Sequence, residues 1–256
     1  VINFSAVPPL SLPGRLMRYP LKLIPSNLTL PVLQGPLRGR RWIVGSHLHG
    51  CWLGSYEWKM QRRIVREVRA GSVFFDVGAN VGFYSLLAAM RVGAGRVFAF
   101  EPLPANIVFL RRHLEINCVR NVEVLEVAIS DHSGTTTFAS ESTRAMGKLE
   151  AGGGLTVQVS TLDRLIAEGR AAAPNCIKMD IEGGEFRALL GATECFEKFR
   201  PQLFLATHGK AVHDECCRLL ASWEYEWVYM ERDSEERAEL FAQPRGGRIN
   251  RGWDQH

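Results

Sequence analysis

No stretch of this 256-residue chain approaches the roughly 20 consecutive apolar residues that a membrane-crossing helix needs. The first residues lack the basic, then apolar, then small-residue pattern of a secretion signal, so none is expected. Repeats and low-complexity tracts are also missing. The 46% hydrophobic content is enough for one enzyme-sized α/β core. Six cysteines (Cys51, Cys118, Cys176, Cys195, Cys216 and Cys217) occur without any C-x-x-C spacing. That argues against a zinc knuckle or a redox pair, and for reduced, mostly buried thiols in a cytoplasmic protein. The net charge of +4 is too small to imply nucleic acid, and neither a basic stripe nor an N-P-P-Y-like loop is present.

Acids are entirely absent from Val1 to Tyr56, a segment that carries Arg15, Arg18, Lys22, Arg38, Arg40 and Arg41. The stretch Glu224 to Glu239 is predominantly acidic. Two readings of the basic arm stand: a wrap around the core, or a dock on an anionic membrane surface. Pro20, Pro25 and Pro31 break any long amphipathic helix there and favour the wrap.

One more absence is the most informative. A dinucleotide fold wants G-x-G-x-x-G after its first strand, and this chain has Asp76-Val77-Gly78-Ala79-Asn80-Val81-Gly82. The apolar run from Val73 predicts a strand, the glycines a tight turn, and Phe83, Leu86, Leu87 and Met90 a helix. A second strand, Val97 to Phe100, ends at Glu101, where a ribose diol needs an acceptor. Asp76 would repel a pyrophosphate but suits a cationic cofactor such as S-adenosylmethionine. A nicotinamide dehydrogenase is therefore disfavoured.

Strands and helices alternate along the rest of the chain. A hairpin is expected from Leu30–Leu33 and Arg41–Val44, then a helix from near Ser55 to Arg69. Pro104 to Ile116 is predicted helical, Val122 to Val127 a strand, and Thr135–Ala139 with Thr156–Ser160 a strand pair. Thr161 to Ile166 reads as a short helix, Cys176 to Ile181 as a strand and Glu185 to Cys195 as one helix. Gln202–Ala206, Val212–Ser222, Tyr225–Met230 and Leu240–Ala242 complete the pattern as strand, helix, strand and strand. The outcome is a mostly parallel, doubly wound sheet, whose ligands bind beyond the strand C-termini. Asp76, Glu101, Asp131 and Asp180 are expected on that rim. The organisation expected is an arm and hairpin over 1–53, a catalytic domain over 54–243 and a tail over 244–256.

Five blocks carry a family resemblance: Phe75–Gly82, Phe100–Asn106, Ala128–Gly134, Thr161–Asp163 and Ile177–Glu185. Together they resemble the FkbM family of S-adenosylmethionine-dependent methyltransferases, over roughly Tyr56 to Gly209. The K-x-D-x-E-G-x-E block (Lys178, Asp180, Glu182, Gly183, Glu185) is its most specific mark. The resemblance implies a class I methyltransferase fold: a Rossmann-like three-layer sandwich with a seven-stranded sheet and a reversed last strand. It also implies O-methylation of hydroxyls on sugars or secondary metabolites. Many relatives have a Glu two residues before the histidine of Ala206-Thr207-His208-Gly209, and this chain has Ala206.

Each position has a chemical reason. Gly78 and Gly82 admit close backbone approach, Asn80 tolerates a strained turn, and Glu101, with Pro102 beside it, offers a carboxylate to the ribose. Asp131 is placed either to contact adenine or simply to form a turn. Glu57 either closes over the cofactor or is a solvated helix-start residue. Lys178 and Asp180 share a strand face and Glu182 follows the tip. They read either as a structural ion pair or as the reacting end, with Asp180 as base or orienter of the acceptor. His208 is the one histidine in a catalytic position, while His47, His49, His113 and His213 are expected to be surface or satisfied. A divalent metal is compatible with Asp180, Glu182 and His208, although no ligand spacing requires one. The expected activity is O-methyl transfer to a hydroxylated small molecule. N-methylation and cofactor binding without turnover are the alternatives.

Overall fold

The computed structural model describes residues 19–138, 154–232 and 237–246. The first eighteen residues of the basic arm, Ala139, part of the acidic run and the tail beyond 246 lie outside the described residues.

The elements run in this order: β1 Thr29–Pro31, β2 Arg41–Ile43, α1 His49–Leu53, α2 Trp58–Glu67, β3 Val73–Val77, α3 Phe83–Val92 and β4 Arg96–Phe100. Next come α4 Pro104–Ile116, β5 Val122–Leu125, β6 Ala128–Ile129, β7 Gly134–Phe138, β8 Leu155–Ser160 and α5 Leu162–Ala167. The last are β9 Cys176–Met179, α6 Glu185–Leu190, α7 Thr193–Phe199, β10 Gln202–His208, α8 Lys210–Ser222, β11 Tyr225–Arg232 and β12 Arg237–Pro244.

Seven strands form the main sheet in the order β5-β4-β3-β9-β10-β12-β11. All its neighbours pair in parallel except β12, which runs antiparallel to both β10 and β11. Period-two alternation sends Phe75, Val77, Ile177, Met179, Leu203 and Leu205 into one apolar layer, under α5 to α8. Phe74, Phe204 and Phe241 point the other way, against α2, α3 and the N-terminal hairpin. The sheet is thus covered on both faces, as a parallel sheet requires. Asp76, Lys178, Glu239 and Arg237 share the parity of this second face, which brings polar groups together at the strand tips.

The described N-terminal segment wraps the core. Val32, Leu37, Trp42, Val44 and Cys51 are buried in the same cluster as Phe74 and Phe83. Trp42 stacks on His113 of α4 at 3.8 Å. The His113 Nδ1 lies 2.8 Å from the Val81 carbonyl, and its Nε2 accepts the Ile43 N–H at 3.2 Å. Those two bonds define a neutral imidazole with its proton on Nδ1.

Three expectations are corrected. The helix predicted from Ser55 begins at Trp58, because Gly54 caps α1 in a left-handed conformation and Glu57 itself has φ 39°. The strand from Val122 stops at Leu125, and Ala128–Ile129 joins β8 in a separate three-stranded sheet with β7. The helix predicted over Glu185–Cys195 is two helices. At the break, Gly191 approaches the Ser130 carbonyl so closely that a Cβ would lie 2.0 Å from that oxygen. The Asp163 carboxylate accepts the N–H groups of Glu194 and Cys195, starting α7 from a distant segment. A cap supplied from 31 residues away leaves no local signature.

Candidate active site

The glycine turn is built by tertiary contacts. Gly78 (φ +79°) packs against the loop after β9, where a Cβ would meet the Asp180 carbonyl oxygen at 2.0 Å. Its N–H and that of Ala79 both donate to Phe100 O, stitching the turn to β4. Gly82 (φ +89°) precedes α3 and faces Leu110. Gly78→Ala adds both a steric clash with backbone and a left-handed strain. It is expected to lower stability by more than about 2 kcal/mol, read as a drop in denaturant midpoint.

Glu101 lies just past the β4 tip and is 4% exposed. Its Oε2 accepts the Asn80 N–H at 2.7 Å, and its Oε1 accepts from Leu103 N–H at 2.9 Å and Asn106 Nδ2 at 3.1 Å. Asn80 holds φ 49° in this grip. Burial raises the Glu101 carboxyl above its usual range, outweighing the opposing pull of these three donors. A carboxylate has about four lone-pair sites, so part of its capacity already goes into fixing the turn. Pro102 follows directly, ahead of the first turn of α4.

Asp76 is the fourth residue of β3 rather than a strand-end residue, and it is fully buried. Its Oδ2 accepts from Ser85 Oγ at 2.6 Å, while Oδ1 has no hydrogen-bond partner among the described residues. Burial raises its pKa. The β3–β9 register places Lys178 directly beside it.

The Lys178–Asp180 ion pair foreseen as one alternative is present, with Nζ 3.5 Å from Oδ2. Lys178 also sits over the Tyr84 ring at 4.9 Å. Burial opposes the Lys178 charge, but Asp180, Asp76 and Glu57 outweigh it and raise its pKa. Burial would raise Asp180 too, yet Lys178, His208 and Arg237 hold it below the usual carboxylate range. The Asp180 Oδ1 lies 3.8 Å from Nε2 of His208, the last residue of β10. That Nε2 is 3.6 Å from the exposed Glu182, and Nδ1 is 2.8 Å from Glu185 Oε1. The Glu185 hydrogen bond leads the causes that raise the His208 pKa.

Glu57 is not a solvated helix-start residue. Its carboxylate accepts from Tyr84 Oη and from Arg237 Nη2, each at 2.8 Å, and makes no capping bond. His47, expected to be surface or satisfied, stands near the site: burial lowers its pKa, and Glu57, Asp180 and Lys178 all act on it. His49, His113 and His213 are satisfied by Trp52, Val81 and Thr207. Asp131 is separate. It is bonded to His132 at 2.7 Å and to Ser130 at 3.2 Å, and lies 3.9 Å from Arg187.

Sequence reasoning gave no site role to Tyr84, Ser85, Arg237 or Glu239, and named Glu185 only as the end of the family block. Arg237 Nη2 also donates to Glu239 Oε1 at 2.9 Å. Glu239 lies directly across the β10–β12 pair from Ala206, so this carboxylate comes from the neighbouring strand where the resemblance led one to expect Glu at 206. Burial pushes Glu239 up to about 7. No sequence signal marks it, because β12 reaches β10 only through the reversed strand order. Asp76, Asp180, Glu57, Glu182, Glu185 and Glu239 thus stand against Lys178, Arg237 and a titratable His208. The surplus of carboxylate favours a cationic ligand.

A seven-stranded sheet with this order, its β12 reversed and its ligand-capable residues at the parallel strand tips, defines a class I methyltransferase fold. The chain belongs to the FkbM methyltransferase family: the Methyltransferase FkbM domain matches residues 76–229. It is 29% identical over 138 residues to the hexuronic acid methyltransferase AglP of Haloferax volcanii, covering 53% of this chain and 56% of that one. It is 30% identical over 162 residues to the 31-O-demethyl-FK506 methyltransferase FkbM of Streptomyces tacrolimicus, covering 50% and 62%. These matches span less than two thirds of either relative's length. A solved methyltransferase FkbM from Methylobacillus flagellatus aligns with a TM-score of 0.48 and 22% identity, over 67% of this chain and 43% of that one.

Proposed function

We propose that this protein transfers a methyl group from S-adenosylmethionine to a hydroxyl of a small sugar-containing molecule or secondary metabolite. One observation carries the reading furthest: the Gly78 backbone lies against the Asp180 carbonyl, so the donor turn and the candidate reacting end are a single surface. The named chemistries of AglP and FkbM support a sugar or metabolite acceptor. The free cysteines, four of them buried, support a reducing, cytoplasmic setting.

The residues present fit the donor. Glu101 holds the ribose, Gly78 and Gly82 admit the backbone approach, and the unpartnered Asp76 Oδ1 with the carboxylate surplus suits ammonium and sulfonium charge. Asp131, on the turn after β6, is the candidate adenine contact. When bound, the donor supplies an electrophilic methyl on a good, neutral leaving group. The protein's task is then chiefly alignment. Asp180, kept anionic by Lys178 and His208, is suited to hold the acceptor hydroxyl by its proton and orient the oxygen. Its lowered pKa makes it a better orienter than a lasting proton store. Glu57, Tyr84 and Arg237 close the side of the site nearest α2.

Glu101→Gln tests the donor assignment. It keeps the size of the side chain but sets an amide NH2 against one of the N–H donors that grip the two oxygens, so melting curves accompany the titration. Hydrogen bonds to charged groups are worth about 1.5–3 kcal/mol, so donor affinity should fall roughly ten- to a hundredfold. Unchanged calorimetric affinity in the folded variant would reject the ribose role. Turnover to S-adenosylhomocysteine, with hydroxylated and amine acceptors compared, separates O-methylation from N-methylation and from binding alone.

A further inference from the structure

We propose that Asp180, Glu185 and His208 form a divalent-cation site beside the tips of β9 and β10. One donor atom from each lies within 4.8 Å of the other two. A first-row cation with ligands at about 2.1 Å spans a sphere roughly 4 Å across, so small rotamer changes close the set. Two carboxylates and an imidazole are the donor chemistry of Mn²⁺ or Zn²⁺ rather than of an alkali ion.

Glu185 supplies an independent pointer. Its side chain is fully buried, and its Oε1 receives His208 at 2.8 Å, Gly183 N–H at 3.1 Å and Ile181 N–H at 3.3 Å. The Oε2 of the same carboxylate has no hydrogen-bond partner among the described residues. An acid sealed from water with one oxygen unmet is costly unless something positive meets it. Glu182, exposed and 3.6 Å from the imidazole, stands at the outer side of the site.

The role of the cation, unlike its binding, rests on the methyl-transfer reading. Asp180, Glu185 and His208 would hold the ion, and it would supply Lewis-acid polarisation of the acceptor hydroxyl, whose proton stays hydrogen-bonded to Asp180.

The experiment is a Mn²⁺ titration of the full chain, followed by the electron paramagnetic resonance signal of the free ion. One saturable site per chain is expected, weakened at least tenfold in both Glu185→Gln and His208→Ala. Glu123→Gln, an exposed acid on β5, should bind as the wild type does. Melting curves confirm that each variant folds, and His208→Ala decides the matter if Glu185→Gln does not fold. No saturable site, or equal affinity in wild type and His208→Ala, overturns the proposal. Methyl transfer that survives exhaustive chelation, together with absent Mn²⁺ binding, sinks the cation site and leaves the proposed function standing. Saturable binding without methyl transfer does the reverse.

Discussion

Asp180→Asn is expected to cut methyl-transfer turnover by at least about a hundredfold, within the hundred- to ten-thousandfold range of positioned acid–base groups. The substitution keeps the shape of the side chain and one oxygen acceptor. It removes the charge that faces Lys178 at 3.5 Å and His208 at 3.8 Å. Donor affinity should change far less, because Glu101 and the glycine turn are held by bonds that do not involve this side chain. Single-turnover rates and donor titrations on the same preparation separate the two effects. Loss of donor binding with turnover kept at saturating donor would place Asp180 in the cofactor pocket. A variant that merely melts earlier would make the Lys178 pair structural. That last outcome has a physical basis, since removing one partner of a buried pair strands the other charge.

Acid should loosen the seam between the N-terminal hairpin and the core. His113 is fully buried, and its pKa is lowered to about 4 by burial, with the Val81 hydrogen bond opposing. In the unfolded chain the imidazole titrates near 6.5. Stability from keeping it neutral is therefore whole above pH 6.5 and is lost progressively as pH falls toward 4, where the unfolded state binds the extra proton. The interval corresponds to about 3 kcal/mol, or a fall in Tm of roughly 6–12 °C for a chain of this size. The same protonation forbids Nε2 from accepting the Ile43 N–H, so strand β2 should loosen first. Melts from pH 7 to pH 4 of wild type and His113→Gln test this. The variant should start lower and fall less steeply, and identical slopes would show that other groups govern the acid transition.

Much of the frame was legible because it is local. The apolar run Val73–Val77, the glycines at 78 and 82 and the helical spacing from Phe83 depend only on near neighbours in sequence. Pro104 opens α4 at the predicted residue because its missing N–H has no cost in a first helical turn. Where distant backbone intervenes, the reading failed. Glu185 to Cys195 carries helical periodicity throughout, yet Ser130 presses on Gly191 and Asp163 caps α7. Glu57 stands open in the sequence between a residue that closes over the cofactor and a solvated helix-start residue. Its burial follows from Arg237, which lies 180 residues away.

The sequence by itself determined the glycine turn, the acid at the second strand tip and the shared strand face of Lys178 and Asp180, since each is a matter of spacing along one strand or across one turn. Only the tertiary structure decided which other charges join them. Glu239 stands beside Ala206 because β12 inserts, reversed, between β10 and β11. Glu185 reaches His208 because α6 starts under the tip of β10. Parity along a strand can be read from sequence, but lateral strand order is set by how the whole sheet buries its two faces. A site assembled across five strand tips is therefore visible only once the chain has folded.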